Sequence, residues 1–177
     1  DAGLTPYHAI KSSLSALVPG STVVVIGAGG LGHMGIQILR ALTGATIIAL
    51  DIDKEKLRLA TEVGAHHVIP SGPDAPAFIR ELTHGVGADA VFDFVDTSGK
   101  PSQQAGGILP AGFFSIPFGA SVRTPYWGSR SELMEVFDLA RTGQIKVHVE
   151  RFTLDETPEA YERLKAGAVL GRAVVVP

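Results

Sequence analysis

The stretch that decides the fold is Thr22–Gly32, with the sequence TVVVIGAGGLG, and the carboxylate of Asp51 follows nineteen residues after it. Its first part holds four consecutive β-branched apolar residues, Val23–Ile26, without the alternation of a half-exposed strand. This pattern predicts a strand covered on both faces, as in a parallel sheet. Strand, glycine turn, helix, second strand and acid, in this order, are typical of a dinucleotide-binding unit.

Each glycine of the turn has a physical role in that interpretation. Gly27 permits a tight turn, Gly29 lets the backbone approach a pyrophosphate, and Gly32 lets the following helix pack closely on the strand. The free amides at the start of that helix suit two phosphates. The candidate cofactor contacts in this turn are Gly27, Gly29, Gly30, Leu31 and Gly32.

Asp51 is the candidate that selects the cofactor. A second apolar run, Thr46–Leu50, delivers Asp51 at its carboxyl end, where the carboxylate can accept hydrogen bonds from both hydroxyls of an adenosine ribose. A 2′-phosphate would face the same negative charge. The sequence therefore favours NAD over NADP.

Composition excludes several classes of protein. The 177 residues are 45% hydrophobic and 19% charged, which suits one globular domain with a full core. A net charge of −3 without a basic cluster predicts no nucleic-acid partner, and the lack of an apolar stretch of about 18 residues predicts no membrane span. The chain has no cysteine, which excludes disulfides and thiolate metal sites within it. A cytoplasmic location is the default expectation.

Strands and helices alternate from residue 22 to residue 95, which predicts an α/β fold with a doubly wound parallel sheet of the Rossmann type and right-handed crossovers. Residues 96–112 are rich in glycine and proline, and they are too few for both a crossover helix and a strand. We therefore predict a loop there and a sheet that lacks one helix-strand unit. The expected division is a dinucleotide-binding domain at residues 1–145 and a strand-helix-strand unit at residues 146–177.

Local signals predict where several elements begin and end. Thr5 is the expected cap of a first helix that ends at Pro19-Gly20. Asp53 is the expected cap of the helix after Asp51, and either Ser129 or Ser131 is the expected cap of a later helix. The apolar segment Phe113–Phe118 is predicted to be extended.

The chain resembles the cofactor-binding half of the medium-chain, zinc-dependent alcohol dehydrogenases. The resemblance lies in five blocks: Ala2–Ala9, Val25–His33, Ala49–Asp51, Val91–Val95 and Gly171–Val175. It covers most of the chain apart from residues 96–112. The first block and the Gly-Arg ending are far more specific than the glycine turn.

The resemblance implies an enzyme that transfers hydride between an alcohol and NAD, with zinc as a Lewis acid on the alcohol oxygen. Asp1 stands where the family has its third zinc ligand, and Thr5 would contact the nicotinamide end. The family's other functional positions correspond to Lys56 at the ribose, Phe94 and Val95 in the cofactor site, Arg172 at a phosphate, and Tyr126 and Trp127 in the substrate pocket or at a subunit contact near it. The family dimerises through the region of Phe113–Phe118, which predicts a homo-oligomer.

Two departures from the family pattern limit what this chain can do. The N-terminal domain is absent from the sequence, and with it the other zinc ligands and most of the substrate pocket. A zinc site therefore requires that the missing ligands be supplied, because one carboxylate cannot make one. The second departure is that residues 96–112 lack the family's next helix and the strand whose carboxyl end supports the nicotinamide. The adenosine and phosphate half of the cofactor site is intact in sequence, and the nicotinamide half is not.

Four features of the sequence each allow two interpretations. His33 could reach a bound phosphate or could simply pack, and Arg172 could bind a phosphate or be a solvated charge. The neighbours His66 and His67 would point to opposite faces of a strand, which argues against a metal site. The pattern Tyr161-x-x-x-Lys165 matches a catalytic pair of short-chain dehydrogenases, but its place near the C-terminus favours packing of Tyr161 and Leu164 on the apolar face of a helix.

Three classes of function compete. The first is the cofactor half of an NAD-dependent alcohol dehydrogenase, acting on a small-molecule alcohol or carbonyl beside a catalytic domain. The second is a stand-alone or engineered module that binds NAD without catalysis. A third class, a structural fragment without a nucleotide, requires that the loss after Val95 open the sheet.

Overall fold

The computed structural model describes residues 2–95, 121, 123 and 125–177. In these residues the helices are α1 (Leu4–Lys11), α2 (Gly32–Leu42), α3 (Lys54–Glu62), α4 (Ala75–Leu82), α5 (Arg130–Arg141) and α6 (Thr157–Lys165), with a 3₁₀ turn at Leu14–Ala16. The strands are β1 (Thr22–Ile26), β2 (Thr46–Asp51), β3 (His67–Pro70), β4 (Ala90–Asp93), β5 (Val149–Thr153) and β6 (Arg172–Val176). No described helix is long and apolar enough to cross a membrane.

The strands form two parallel sheets. The larger sheet has the order β3-β2-β1-β4, and its register pairs Val24 of β1 with Ile48 of β2 and with Val91 of β4. The smaller sheet pairs β5 with β6. The predicted α/β fold with a parallel sheet is confirmed. The domain boundary at residue 145 stays a prediction.

The centre of the larger sheet is covered on both faces, as the unbroken apolar run predicts. Val23 and Val25 are fully buried in one apolar cluster with residues of α1 and α2, including Ile10 and Ile38. Val24 lies in a second cluster on the opposite face, where Ala75 of α4 packs. Burial on both faces explains why β1 shows no polar alternation.

The second face carries an apolar cavity of about 470 Å³ beneath α4. It is lined by Val24, Ile26, Leu50, Ile79 and Val91 among others. The segment predicted to lack a helix-strand unit, residues 96–112, and the predicted extended segment Phe113–Phe118 lie outside the described residues. The missing unit and the contact between copies therefore stay predictions.

The first helix differs from its prediction at both ends. Thr5 does not cap it, because α1 begins at Leu4 after Gly3. The helix ends at Lys11, although the sequence predicted that it would continue to Pro19-Gly20. The hydroxyls of Ser12 and Ser13 donate hydrogen bonds to the carbonyl of Ala9, at 2.8 and 3.1 Å. Such side-chain bonds compete with the helical backbone, and a 3₁₀ turn follows.

A hydrogen bond between His8 and Glu132 joins α1 to α5. The Glu132 carboxylate, which is buried, accepts hydrogen bonds from the Ser129 backbone at 2.6 Å and contacts Nδ1 of His8 at 3.0 Å. The Ser129 hydroxyl oxygen accepts the Glu132 amide at 3.2 Å, which completes a capping box. Of the two predicted caps, Ser129 and Ser131, the cap is therefore Ser129. The Ser129 backbone bond, with a further contribution from His8, lowers the pKa of Glu132 to about 2.

We expect Glu132→Gln to lower the free energy of unfolding by about 1–2 kcal/mol at pH 7, because the capping box and the charged bond are both weakened. The folded-state pKa of Glu132 lies below its usual value of 4.5, so its contribution is present above that value and is lost as the pH falls towards about 2. Urea unfolding at pH 7 and pH 3 measures this. Glu159→Gln, at an exposed first-turn carboxylate of α6, is the control. An equal loss at both pH values would contradict the assignment.

Candidate functional site

Two glycines of the turn between β1 and α2 are required by the fold itself. Gly27 has a φ of +84°, which side chains rarely adopt, and its amide donates to the Leu50 carbonyl at 2.7 Å. A Cβ on Gly32 would overlap the Gly27 carbonyl oxygen and lie 2.8 Å from its carbon. The close packing that the sequence predicts at Gly32 is therefore present.

Gly29 is different, because no heavy atom lies within 4 Å of the place where its Cβ would stand. Its backbone has no positive φ that would require glycine. Since neither packing nor conformation demands glycine here, the open space in front of the turn fits the approach of a ligand. The amides at the start of α2 carry the helix's positive end, although the amide of His33 already donates to the Gly29 carbonyl at 3.1 Å.

Arg172 lies against the same turn, although it stands at the far end of the chain. A Cβ on Gly30 would be 2.9 Å from Cδ of Arg172 and 3.1 Å from the Gly171 carbonyl oxygen. The arginine that begins β6 is therefore in place beside the amides of the turn. This position favours a phosphate contact over the alternative of a solvated charge.

Asp51 ends β2 and is buried, with 8% of its surface exposed. One carboxylate oxygen accepts the Ala28 amide at 2.8 Å, and the other accepts the Asp53 amide at 3.0 Å. The first bond fixes the glycine turn to the second strand, which sequence reasoning missed. A carboxylate has about four acceptor sites, so capacity for ribose hydroxyls remains.

The neighbours of Asp51 include one residue that sequence reasoning did not select. Ile52 is 86% exposed directly after Asp51, where an apolar side chain gains nothing from the fold. Lys56 lies in the first turn of α3, whose predicted cap Asp53 is confirmed. The Lys56 ammonium is 3.9 Å from the place of a Cβ on Gly167, after α6. The only signal for Ile52 in the sequence was an apolar residue directly after the acid that ends a strand.

Phe94 and Val95 follow β4 and border the turn. The Phe94 ring would lie 2.8 Å from a Cβ on Gly35, and a Val95 methyl would lie 3.0 Å from a Cβ on Gly27. Val95 is about half exposed. The residues at the carboxyl ends of β1, β2 and β4 thus meet at one edge of the sheet, where open α/β folds bind ligands.

Leu4 and Gly128, the sequence neighbours of Thr5 and Trp127, contact each other. A Cβ on Gly128 would be 2.7 Å from a methyl of Leu4, the residue before Thr5. The exposed rings of Tyr126 and Trp127 stack with centroids 5.2 Å apart, and Trp127 has a φ of +59°. A non-glycine residue with such a φ is uncommon and often marks a functional segment.

Burial and hydrogen bonds decide between the two interpretations of His33, a phosphate contact and packing. His33 is fully buried; its Nδ1 lies 2.8 Å from the Gly29 carbonyl oxygen, and its Nε2 accepts the His148 amide at 3.2 Å. Burial lowers the pKa of His33, and the nearby His148 and Arg172 act in the same direction. Both ring nitrogens are used inside the protein, so packing is the better interpretation.

The described residues hold no group of three or more His, Cys, Asp or Glu side chains that could bind a metal, and Asp1 lies outside them. The predicted packing of Tyr161 and Leu164 is wrong, because they are 61% and 58% exposed. Ala160 is the buried residue of α6, and Lys165 pairs with Glu162 at 2.8 Å.

Comparison with known proteins agrees with a fold of the Rossmann type. A family model described as zinc-binding dehydrogenase matches residues 30–109. The NAD-dependent alcohol dehydrogenase of Sulfurisphaera tokodaii is 35% identical over 195 residues, which covers 99% of this chain and 56% of the relative. An alcohol dehydrogenase of Geobacillus stearothermophilus is 33% identical over 189 residues, covering 98% of this chain and 55% of the relative.

The alcohol dehydrogenase of Aeropyrum pernix has a solved structure that superimposes with a TM-score of 0.83 at 36% identity, over 100% of this chain and 56% of the other. The chain thus spans about half the length of the curated relatives it matches. Over that length the chain is similar to alcohol dehydrogenases, and its match to the zinc-binding dehydrogenase model lies within residues 30–109.

Proposed function

We propose that this chain is the NAD(H)-binding part of an alcohol dehydrogenase that transfers hydride between an alcohol and NAD. The observation that carries the proposal is the open space at Gly29, beside the positive end of α2 and the carboxylate of Asp51. A pyrophosphate would accept hydrogen bonds from the amides of Gly29–Gly32, and Arg172 would neutralise part of its charge. The NAD-dependent relative supports the same cofactor.

The adenosine end of the cofactor would lie beside β2. Asp51 would accept hydrogen bonds from the ribose hydroxyls with its remaining acceptor sites, and Lys56 would contribute at the same ribose. Ile52, exposed next to them, offers an apolar surface for adenine. A 2′-phosphate would meet the Asp51 charge, so we propose NAD rather than NADP.

The catalytic end would be completed by another part of the protein. Thr5, Phe94 and Val95 would border the nicotinamide, and Tyr126 and Trp127 would line the pocket for a small alcohol or carbonyl compound. Zinc, when its ligands are supplied, would act as a Lewis acid on the substrate oxygen. Asp1 alone does not fit a zinc site, because one carboxylate cannot supply the ligands that zinc needs. A cytoplasmic homodimer is the corresponding proposal for location and assembly.

The alignments support the proposed shortening of the chain. They run over 195 and 189 positions, more than the 177 residues of this chain, so each leaves residues of the relative without a counterpart. The family's nicotinamide support falls in the segment that we predict to be shortened. This keeps the alternative of an NAD-binding module without catalysis.

We expect ADP-ribose to bind about as well as NAD, because the contacts of the glycine turn and Asp51 serve the part that both ligands share. Isothermal titration of each ligand into the unmutated chain gives the two affinities. If NAD binds more than about ten-fold tighter, a difference of about 1.4 kcal/mol, an ordered nicotinamide pocket exists and the shortening has been misinterpreted.

The proposed function is tested by titrating NAD and NADP into the chain, with zinc measured on the same sample and alcohol oxidation assayed in added zinc. The proposal requires tighter binding of NAD than of NADP. Turnover that appears only when a catalytic domain of a relative is added supports the dehydrogenase. Binding without turnover under both conditions favours the non-catalytic module.

A further inference from the structure

His33 connects the glycine turn to the C-terminal strands through a single buried imidazole. The ring lies in the first turn of α2 and is completely inaccessible to solvent. Both the backbone amide and Nδ1 of His33 lie within hydrogen-bond distance of the Gly29 carbonyl oxygen, at 3.1 and 2.8 Å. Because Nε2 accepts the His148 amide, Nδ1 must carry the proton in the neutral ring, and it donates to Gly29.

His148 in turn holds Arg172. The His148 carbonyl accepts the Arg172 amide at 2.9 Å, so the two strands begin their pairing at this point. Gly171 has a φ of +77°, and a Cβ there would lie 2.9 Å from Cβ of His148. The backbone that carries Arg172 is therefore fixed against His148, whose amide is fixed by His33.

We propose that His33 is a positioning residue for the phosphate contact, which holds the Gly29–Gly30 turn and Arg172 in one arrangement before the dinucleotide binds. The proposal rests on the proposed function, because it assumes that the pyrophosphate occupies the turn. Direct contact of His33 with a phosphate is not part of it, since both ring nitrogens are already engaged. Preformed contacts raise affinity because binding then costs less ordering.

Two conservative variants separate the two bonds of the ring. His33→Asn places an amide NH₂ where Nδ1 stands, so it can keep the bond to Gly29 and lose the bond to His148. His33→Gln reaches the position of Nε2, so it can keep the bond to His148 and lose the one to Gly29. Retained stability of either variant in urea unfolding keeps the test interpretable if the other fails to fold.

The test measures binding of ADP-ribose and of adenosine by titration. We expect His33→Asn to weaken ADP-ribose about ten-fold and adenosine less than two-fold, because adenosine lacks the phosphates that Arg172 would contact. A general loss of structure would weaken both ligands alike and would overturn the proposal.

A double-mutant cycle adds a readout that a structural role would not move. In an Arg172→Ala background, His33→Asn should have no further effect on ADP-ribose, because the residue that it positions is absent. Independent, multiplicative losses would overturn the proposal. If the unmutated chain binds no ADP-ribose, the proposed function fails together with the inference; if it binds and His33→Asn binds equally well, the inference alone fails.

Discussion

Gly32→Ala should lower the free energy of unfolding by about 3 kcal/mol or more and abolish measurable binding of NAD. The added methyl group would overlap the Gly27 carbonyl oxygen, which belongs to the backbone and cannot move aside without breaking the turn between β1 and α2. The same turn supplies the amides for the pyrophosphate. Urea unfolding followed by circular dichroism gives the stability, and titration calorimetry gives the affinity.

Gly29→Ala is the matched control for that variant. A Cβ at Gly29 meets no atom within 4 Å, so the stability should stay within about 1 kcal/mol of the unmutated value. The methyl group would nevertheless stand where the pyrophosphate approaches, and NAD affinity should fall at least ten-fold. Unchanged NAD affinity in a folded Gly29→Ala variant would contradict the assignment of the turn as the phosphate site.

Asp51→Ala should weaken NAD at least ten-fold and narrow the gap between NAD and NADP. A hydrogen bond to a charged group contributes about 1.5–3 kcal/mol, and the carboxylate is also the charge that a 2′-phosphate would face. The unmutated chain and the variant are compared by titration with both cofactors. Equal affinity of the unmutated chain for NAD and NADP would remove the basis of this prediction.

The same variant should also affect stability, because the Ala28 and Asp53 amides both donate to this carboxylate. We expect a loss of about 1–3 kcal/mol when these donors lose their partner. Asp51→Asn keeps one oxygen acceptor without the charge. One of the two amides therefore loses its acceptor, and we expect a loss of stability smaller than that of Asp51→Ala. The preference of Asp51→Asn for NAD over NADP should be smaller than that of the unmutated chain.

The features predicted well from the sequence are local ones. The run Val23–Ile26 contains the information for a strand buried on both faces, and the caps at Asp53 and Ser129 are set by side chains within three residues of the amides they bind. The length of the first helix was overestimated, because the apolar spacing continues past Ser12 and Ser13. The hydroxyls of these two residues compete for the carbonyl of Ala9 in the helix.

The parts that were missed depend on distant contacts. Periodicity identified an apolar face on α6, but whether Tyr161 is covered depends on what lies opposite it, which periodicity cannot reveal. The Asp51 bond to Ala28 spans 23 residues of sequence, and the His33 bond to His148 spans 115. Neither has a local sequence signal. The place of Arg172 beside Gly30 was expected only from family resemblance.

The most direct test of the central claim, that the glycine turn and Asp51 form a dinucleotide site, is a titration of the isotope-labelled chain with ADP-ribose followed by nuclear magnetic resonance of its amides. We predict saturable shifts of the Gly29, Gly30 and Leu31 amides and of those next to Asp51, with the amides of α6 unchanged. Saturable shifts confined to other parts of the chain, or none at millimolar ADP-ribose, would contradict the account.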